Sequence, residues 1–137
     1  MNKNKVLDLF CGCGGLSHGF IEADYEVVAG IDHWQDALDT FAFNHTASNA
    51  IKADLFNISP EQISQQIETN NIDVIIGGPP CQGFSISGKR LIDDERNQLY
   101  KSFVNFVAYF KPKAFIMENV PNIISMGKGA VKDEIIE

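Results

Sequence analysis

Near its start the chain runs from a short apolar segment directly into a glycine-rich turn. Residues 5–10 are mostly apolar and predict a strand, Cys11-Gly12-Cys13-Gly14-Gly15 forms the turn, and residues 16–23 predict a helix. Strand, glycine-rich turn and helix open the doubly wound α/β sheets that bind nucleotide cofactors. Glycines let the backbone pass close to a ligand, and the helix N–H groups face it. We therefore predict this fold, with a cofactor bound at the turn.

The spacing of the glycines narrows the choice of cofactor. A strict G-x-G-x-x-G pattern counted from Gly12 requires a last glycine where Ser17 stands, so a pyrophosphate cofactor such as NAD is disfavoured. Cys11 and Cys13 are not followed by a second pair of Cys or His at ligand spacing, so we predict no metal site.

Strands and helices are predicted to alternate along the rest of the 137 residues. The predicted strands continue at 26–32, 50–55, 74–76 and 113–118, and the predicted helices at 34–44, 59–69, 97–110 and 129–137. This order predicts one parallel sheet of about five strands, with the first strand beside the fourth. Ser59 as N-cap, Pro60 at the first helical position and Gln62 three residues after the cap predict the start of the helix at 59–69. The rings of Phe41 and Phe43 are expected to pack in the core rather than against a cofactor.

Acidic side chains end two of these strands. Asp32 lies seventeen residues after Gly15, where an acid typically bonds the ribose hydroxyls of an adenosine cofactor. The alternative is that Asp32 caps the next helix, and both roles can coexist. Asp54 ends the third strand, so both acids are expected at the edge where such sheets bind their ligands.

A second motif, Gly77-Gly78-Pro79-Pro80-Cys81-Gln82-Gly83-Phe84-Ser85, follows the fourth strand. The prolines stiffen the chain before Cys81, and the polar segment at 82–96 is predicted to be a mobile lid. An isolated cysteine in this position is usually a small buried apolar residue. Glu118 ends the neighbouring fifth strand, about 4.8 Å away in a sheet, so Cys81 and Glu118 can face one small ring together.

Composition limits the setting in which these motifs act. The three cysteines favour a reducing cytoplasm over a disulfide framework, and neither a signal peptide nor a membrane span is expected. The net charge is −7, from 18 acidic and 11 basic residues, whereas a surface that binds nucleic acid should be basic. If DNA is the substrate, most of the phosphate-binding surface must lie on another segment or on a partner.

From its first to its last residues the chain resembles the amino-terminal part of the DNA cytosine-5 methyltransferases. The resemblance rests on Asp8-Leu9-Phe10-Cys11-Gly12-Cys13-Gly14-Gly15, Pro-Pro-Cys-Gln-Gly-Phe-Ser and Glu118-Asn119-Val120. It implies S-adenosyl-L-methionine as cofactor and double-stranded DNA as substrate, with a Rossmann-like sheet, a flipped target cytosine, and a covalent bond from Cys81 to C6 of that base.

The resemblance also implies a role for each matching residue. Cys81 is the expected nucleophile, and Glu118 is the acid that contacts the cytosine. The expected cofactor-binding residues are Phe10, Gly12, Cys13, Gly14, Gly15, Asp32, His33, Asp54, Leu55, Pro80 and Leu99. The expected substrate-binding residues are Pro79, Gln82, Ser85, Arg96, Asn119 and Val120.

The family pattern continues with an arginine-rich motif, a target-recognition domain and a closing helix, none of which lies within residues 1–137. The chain is therefore expected to be an inactive fragment, or one subunit of a split enzyme with a complementary carboxyl-terminal chain. Its expected setting is the cytoplasm of a bacterium or phage-infected cell, associated with the nucleoid. A non-catalytic remnant that binds cofactor or a partner, and an RNA cytosine-5 methyltransferase, remain as alternatives.

Overall fold

The computed structural model describes residues 2–80 and 99–118. Strands and helices alternate in them as predicted. The elements are β1 (Lys5–Leu9), α1 (Gly15–Glu22), β2 (Glu26–Asp32), α2 (Gln35–Asn44), β3 (Asn49–Lys52), α3 (Pro60–Ile67), β4 (Val74–Gly77), α4 (Leu99–Phe110) and β5 (Ala114–Met117). The predicted helix at 129–137 and the predicted lid at 82–96 lie outside the described residues.

The five strands form one parallel sheet in the order β3-β2-β1-β4-β5. β1 is therefore central and pairs with β4 on one side and β2 on the other, which confirms the predicted neighbour of the first strand. The chain reverses direction across the sheet between β1 and β4. In a doubly wound sheet that switch point, at the carboxyl ends of the strands, is where ligands bind.

Successive side chains of β1 point to opposite faces of the sheet and pack in two separate cores. Leu7 and Leu9 pack on one face with apolar residues of α3 and α4, including Ile63 and Phe103. Val6 packs on the opposite face with the side chains that α2 contributes, Leu38 and Phe41. Burial on both faces explains why the central strands are almost continuously apolar.

Two local predictions for the helices can be compared with the structure. Ser59 caps α3 through a reciprocal capping box with Gln62, and Pro60 occupies the first helical position, as predicted. Phe43 was expected in the core with Phe41, and this was wrong, because its side chain is 83% exposed. Phe43 lies two residues after Phe41 on α2, so its side chain faces away from the sheet.

Gly77 lies where β4 comes closest to β1. A Cβ at this position would stand 2.1 Å from the carbonyl oxygen of Leu9, a backbone atom that cannot move without breaking the sheet. We expect Gly77→Ala to cost about 3 kcal/mol or more of unfolding free energy. Gly19→Ala is the matched control: nothing lies within 4 Å of its Cβ position in α1, so it should be neutral or stabilising. Urea denaturation measures the stability of both variants. A Gly77→Ala protein as stable as the Gly19→Ala protein would contradict the close approach of β4 to β1.

Within residues 2–80 and 99–118, no helix combines the length and the apolar character needed to cross a bilayer.

Candidate functional site

The glycine-rich turn is tied to the end of β2. The Cys11 N–H donates to the Ile31 carbonyl at 3.0 Å, and the Gly12 N–H donates to Oδ2 of Asp32 at 2.9 Å. Phe10 and Gly12 have positive φ angles of 57° and 54°, so the chain bends sharply as it leaves β1. The turn is thus fixed between two strand ends before α1 begins.

Helix α1 begins without a capping side chain. Gly14, with φ 92°, is its N-cap residue, and no acidic residue lies in its first turn. The first N–H groups of a helix lack partners within the helix and carry a partial positive charge. This end of α1 is therefore suited to a negatively charged group of a ligand.

The carboxylate of Asp32 holds the site together on the side of β2. Its Oδ2 accepts from Gly12, its Oδ1 accepts the Trp34 N–H at 3.0 Å, and Nδ1 of His33 lies 3.4 Å from the same oxygen. The N-cap residue of α2 is Trp34, so the alternative in which Asp32 caps this helix was wrong. Its side chain is 14% exposed, and each oxygen has a second lone pair for a ligand hydroxyl.

Asp54 organises the turn that follows β3. Its Oδ1 accepts the Phe56 N–H at 2.9 Å and its Oδ2 accepts from Nδ2 of Asn57 at 2.7 Å. The backbone N–H groups of Asn57 and Ile58 both donate to the Asp54 carbonyl at 3.0 Å. The carboxylate therefore shapes its own turn, and it remains exposed on the side of the sheet edge.

One cavity of about 660 Å³ joins these strand ends. It is lined by Phe10, Asp32, His33, Ala53, Asp54, Leu55, Phe56, Asn57, Pro80 and Leu99. Seven of these ten had been predicted as cofactor-binding residues, and the sequence reasoning missed Ala53, Phe56 and Asn57. An Asp followed three residues later by Asn, just past a strand, is a turn signal that points to Asn57. Gly12, Cys13, Gly14 and Gly15 form the adjoining turn and do not line this cavity.

Beneath the turn, β1 contributes a buried carboxyl group. Asp8 is 1% exposed, and its Oδ2 accepts the hydroxyl of the fully buried Ser17 at 2.5 Å. Burial raises the pKa of Asp8 to about 7, a rise that the Ser17 hydrogen bond opposes and the Asp32 carboxylate reinforces. The bond also fixes the first turn of α1 to β1.

This pKa predicts how stability depends on pH. From about pH 4 to 7 the folded chain keeps a proton on Asp8 that the unfolded chain has released, so the Asp8 contribution to stability falls as pH rises through this window. Asp8→Asn should keep the Ser17 bond, abolish this fall, and stabilise the protein at pH 8 by on the order of 3 kcal/mol. Urea denaturation from pH 5 to 8 checks this. The exposed Asp39→Asn is the control, and an unchanged slope in Asp8→Asn would contradict the prediction.

The two cysteines of the turn differ in exposure. Cys11 is buried, and burial together with the Asp8 and Asp32 carboxylates raises the pKa of its thiol well above the ordinary value, so Cys11 is a poor nucleophile. Cys13 is exposed on the turn. In the part of the chain that the structure describes, no cluster of three or more His, Cys, Asp or Glu side chains is arranged to hold a metal.

The ends of β4 and β5 meet beside the cavity. The Glu118 N–H donates to the Gly77 carbonyl at 2.9 Å, and Oε2 of Glu118 lies 2.9 Å from the point where a Cβ on Gly78 would stand. A side chain at position 78 would displace this carboxylate from its place. Pro79 is buried and Pro80 lines the cavity. The carboxylate of Glu118 thus lies at the start of the segment that leads to Cys81.

Six predicted site residues lie outside the described residues, namely Cys81, Gln82, Ser85, Arg96, Asn119 and Val120.

The model of the family of C-5 cytosine-specific DNA methylases matches residues 4–137. The chain belongs to this family. Among curated members, it is 45% identical over 136 residues to the type II methyltransferase M.DdeI of Desulfomicrobium norvegicum, a match that covers 97% of this chain and 32% of that protein. It is 42% identical over 134 residues to M.AgeI of Thalassovita gelatinovora, which covers 96% and 31%.

A solved structure agrees with the methylase assignment. A DNA modification methyltransferase encoded within a prophage of E. coli superposes with a TM-score of 0.85 at 37% identity, over 98% of this chain and 37% of that one. The chain therefore spans about a third of the length of these three methylases. The five-stranded parallel sheet with flanking helices is the Rossmann-like sheet of methyltransferases that use S-adenosylmethionine.

Proposed function

We propose that this chain is the cofactor-binding and nucleophile-bearing part of an enzyme that transfers a methyl group from S-adenosylmethionine to C5 of cytosine in DNA. The observation that carries the proposal is the cavity at the carboxyl ends of the strands, which adjoins the Gly78–Glu118 contact in a chain of this family. This arrangement supports a methyl-donor site beside an acid that can contact the base.

The residues present fit S-adenosylmethionine. The cavity volume is in the range of small-ligand pockets, and its walls combine the apolar side chains of Phe10, Leu55 and Leu99 with two carboxylates. Asp32 has lone pairs free to accept the ribose hydroxyls, and Leu55 with Asp54 suits the adenine. The uncapped start of α1 suits the methionine carboxylate. When bound, the cofactor supplies an electrophilic methyl group on a sulfonium.

The proposed chemistry explains the need for a thiol and an acid. C5 of cytosine is a weak nucleophile until the thiolate of Cys81 adds to C6, which makes C5 enamine-like. The negative charge that develops at N3 requires a proton donor, and we assign this role to Glu118. C5 then takes the methyl group, the C5 proton leaves to a base, and the bond from C6 to sulfur breaks to restore the thiolate. As that bond breaks, N3 returns its proton to the carboxylate of Glu118, so that the product is neutral 5-methylcytosine and the acid is ready for another turnover.

The target base must leave the DNA duplex to reach Cys81, so base flipping is part of the proposal. Pro79, Gln82, Ser85, Arg96, Asn119 and Val120 are proposed to contact the flipped nucleotide and its surroundings. The segment at 82–96 is proposed to close over it.

Residues 1–137 are proposed to be the amino-terminal portion of the catalytic domain. The net charge of −7 gives this portion little phosphate-binding capacity, so the DNA-binding surface is assigned to a further segment or to a complementary carboxyl-terminal chain. β5 is an edge strand of the described sheet, with Phe115 43% and Ile116 48% exposed, and such an edge suits pairing with that missing part. The relatives are type II methyltransferases, so a restriction–modification role in the cytoplasm, at the nucleoid, is proposed.

The test uses the complete enzyme, obtained either as one longer chain or with its complementary chain. Labelled S-adenosylmethionine is supplied with duplex DNA or tRNA, and the methylated nucleosides are identified. We expect 5-methylcytosine in DNA alone, and residues 1–137 alone should neither bind DNA specifically nor turn over. Methylation of tRNA alone would favour the RNA enzyme, and absence of both products with cofactor still bound would favour the non-catalytic remnant.

A further inference from the structure

Two aromatic rings support the glycine-rich turn on the side of the second core. A Cβ on Gly14 would lie 2.6 Å from Cδ2 of Phe41 and 2.6 Å from Cε1 of His45, so both rings touch the turn where the glycine has no side chain. The Phe41 ring also fills the space beside Gly30 on β2. A Cβ added to Gly30 would lie 2.5 Å from Cζ of Phe41 and 2.9 Å from the sulfur of Cys11. The rings thus occupy the gaps that two glycines leave.

Phe41 and His45 form one stacked unit at the end of α2. Their ring centroids are 4.7 Å apart with an interplanar angle of 28°, and Phe41 is fully buried while His45 is 5% exposed. Nδ1 of His45 donates to the Phe41 carbonyl at 3.0 Å, since a carbonyl can only accept. Among the described residues, Nε2 of His45 is the buried side-chain nitrogen or oxygen without a partner. The His45 ring is therefore held by packing and by the one hydrogen bond that its Nδ1 makes.

Helix α2 is joined to the cofactor turn at both of its ends. At its start the Trp34 N–H donates to Oδ1 of Asp32, whose Oδ2 holds the Gly12 N–H. At its end the ring stack meets Gly14. Residues 12 and 14 are thus fixed from opposite ends of one helix.

We propose that the Phe41–His45 stack is a positioning element that holds the glycine-rich turn in its binding shape before the cofactor arrives. The role in binding rests on the proposed function, whereas the support of the turn is a property of the chain itself. Neither ring lines the cavity, so the stack acts through the turn. A turn already in shape avoids the cost of ordering it on binding.

The test compares four variants of the complete enzyme by two readouts. His45→Ala removes the ring, His45→Phe keeps a planar ring without the unpartnered nitrogen, and Phe41→Leu removes the stacking. Ile67→Ala is the control: this residue of α3 is buried in the opposite core, away from the turn. The first readout is the rate at which iodoacetamide modifies Cys11 without cofactor, followed by mass spectrometry. The second is the affinity for S-adenosylhomocysteine by calorimetry.

We expect His45→Ala and Phe41→Leu to speed Cys11 modification and to weaken binding, each by on the order of tenfold. His45→Phe should match wild type in both readouts and raise the melting temperature, because it removes a buried unpaired nitrogen. Ile67→Ala should lower the melting temperature without either effect. If His45→Ala and Phe41→Leu change both readouts no more than Ile67→Ala does, or if His45→Phe fails like His45→Ala, the proposal is overturned.

The two readouts separate this inference from the proposed function. A wild-type enzyme that does not bind S-adenosylhomocysteine overturns the cofactor assignment and the binding role of the stack. The Cys11 readout then still decides whether the stack supports the turn. Wild-type binding with unchanged Cys11 modification in His45→Ala overturns the support of the turn alone.

Discussion

Replacing Cys81 by serine in the complete enzyme is expected to lower methyl transfer to DNA by a factor of about 10⁴ or more. A serine hydroxyl is protonated at neutral pH and a far weaker nucleophile than a thiolate, so C6 is not attacked and C5 is never activated. Steady-state transfer of labelled methyl groups measures the loss. The substitution removes a reacting atom, so it has the largest effect that the proposal predicts.

Cofactor binding separates this chemical effect from misfolding. Cys81→Ser should bind S-adenosylhomocysteine within about twofold of wild type, because the cavity is lined by residues before and after this position, from Phe10 to Pro80 and at Leu99. A Cys81→Ser enzyme that retains cofactor binding and transfers methyl groups at more than a tenth of the wild-type rate would remove Cys81 from the mechanism.

Glu118→Gln is expected to lower methyl transfer by about 10²- to 10⁴-fold, the usual contribution of a positioned acid. The amide keeps the shape of the side chain in the space beside Gly78 but has no acidic proton to give to N3 of the cytosine. Single-turnover rates with saturating DNA and cofactor measure the effect on the chemical step. Affinity for S-adenosylhomocysteine should stay unchanged, since Glu118 does not line the cavity.

Glu22→Gln is the matched control for Glu118→Gln. Glu22 is an exposed acid at the end of α1, far along the chain from β5, so its replacement should leave the single-turnover rate as in wild type. Equal rates for the Glu118→Gln and wild-type enzymes would show that this acid takes no part in catalysis, even if Cys81 does.

The sheet could be predicted from the sequence because its strands are marked by apolar runs with clear limits. The predicted bounds of β2 match the structure residue for residue, and α3 begins at the Ser-Pro pair that predicts it. β3 was misplaced: it ends at Lys52, whereas the prediction continued to Leu55. The cause is Asp54, whose carboxylate takes the chain into a turn that an apolar pattern does not reveal.

The site was predicted less completely than the sheet. The acids at strand ends were found because parallel strands bring their carboxyl ends to one edge. Ala53, Phe56 and Asn57 were missed because their place in the cavity depends on the path of the Asp54 turn. The Phe41–His45 stack was also not foreseen, since no periodicity shows that two rings fill the space left by Gly14 and Gly30. Such contacts between distant segments are fixed only by packing.

A trapped covalent complex tests the central claim most directly. The complete enzyme is incubated with S-adenosylmethionine and a DNA duplex that carries 5-fluorocytosine at the target position, and the peptides are analysed by mass spectrometry. Fluorine at C5 cannot leave as the proton must, so the bond between sulfur and C6 should persist. We predict the methylated, fluorinated nucleotide on the peptide that contains Cys81, and its loss in Cys81→Ser. A stable adduct on Cys11 or Cys13, or rapid methylation of the normal duplex with no adduct on the fluorinated one, would contradict the mechanism.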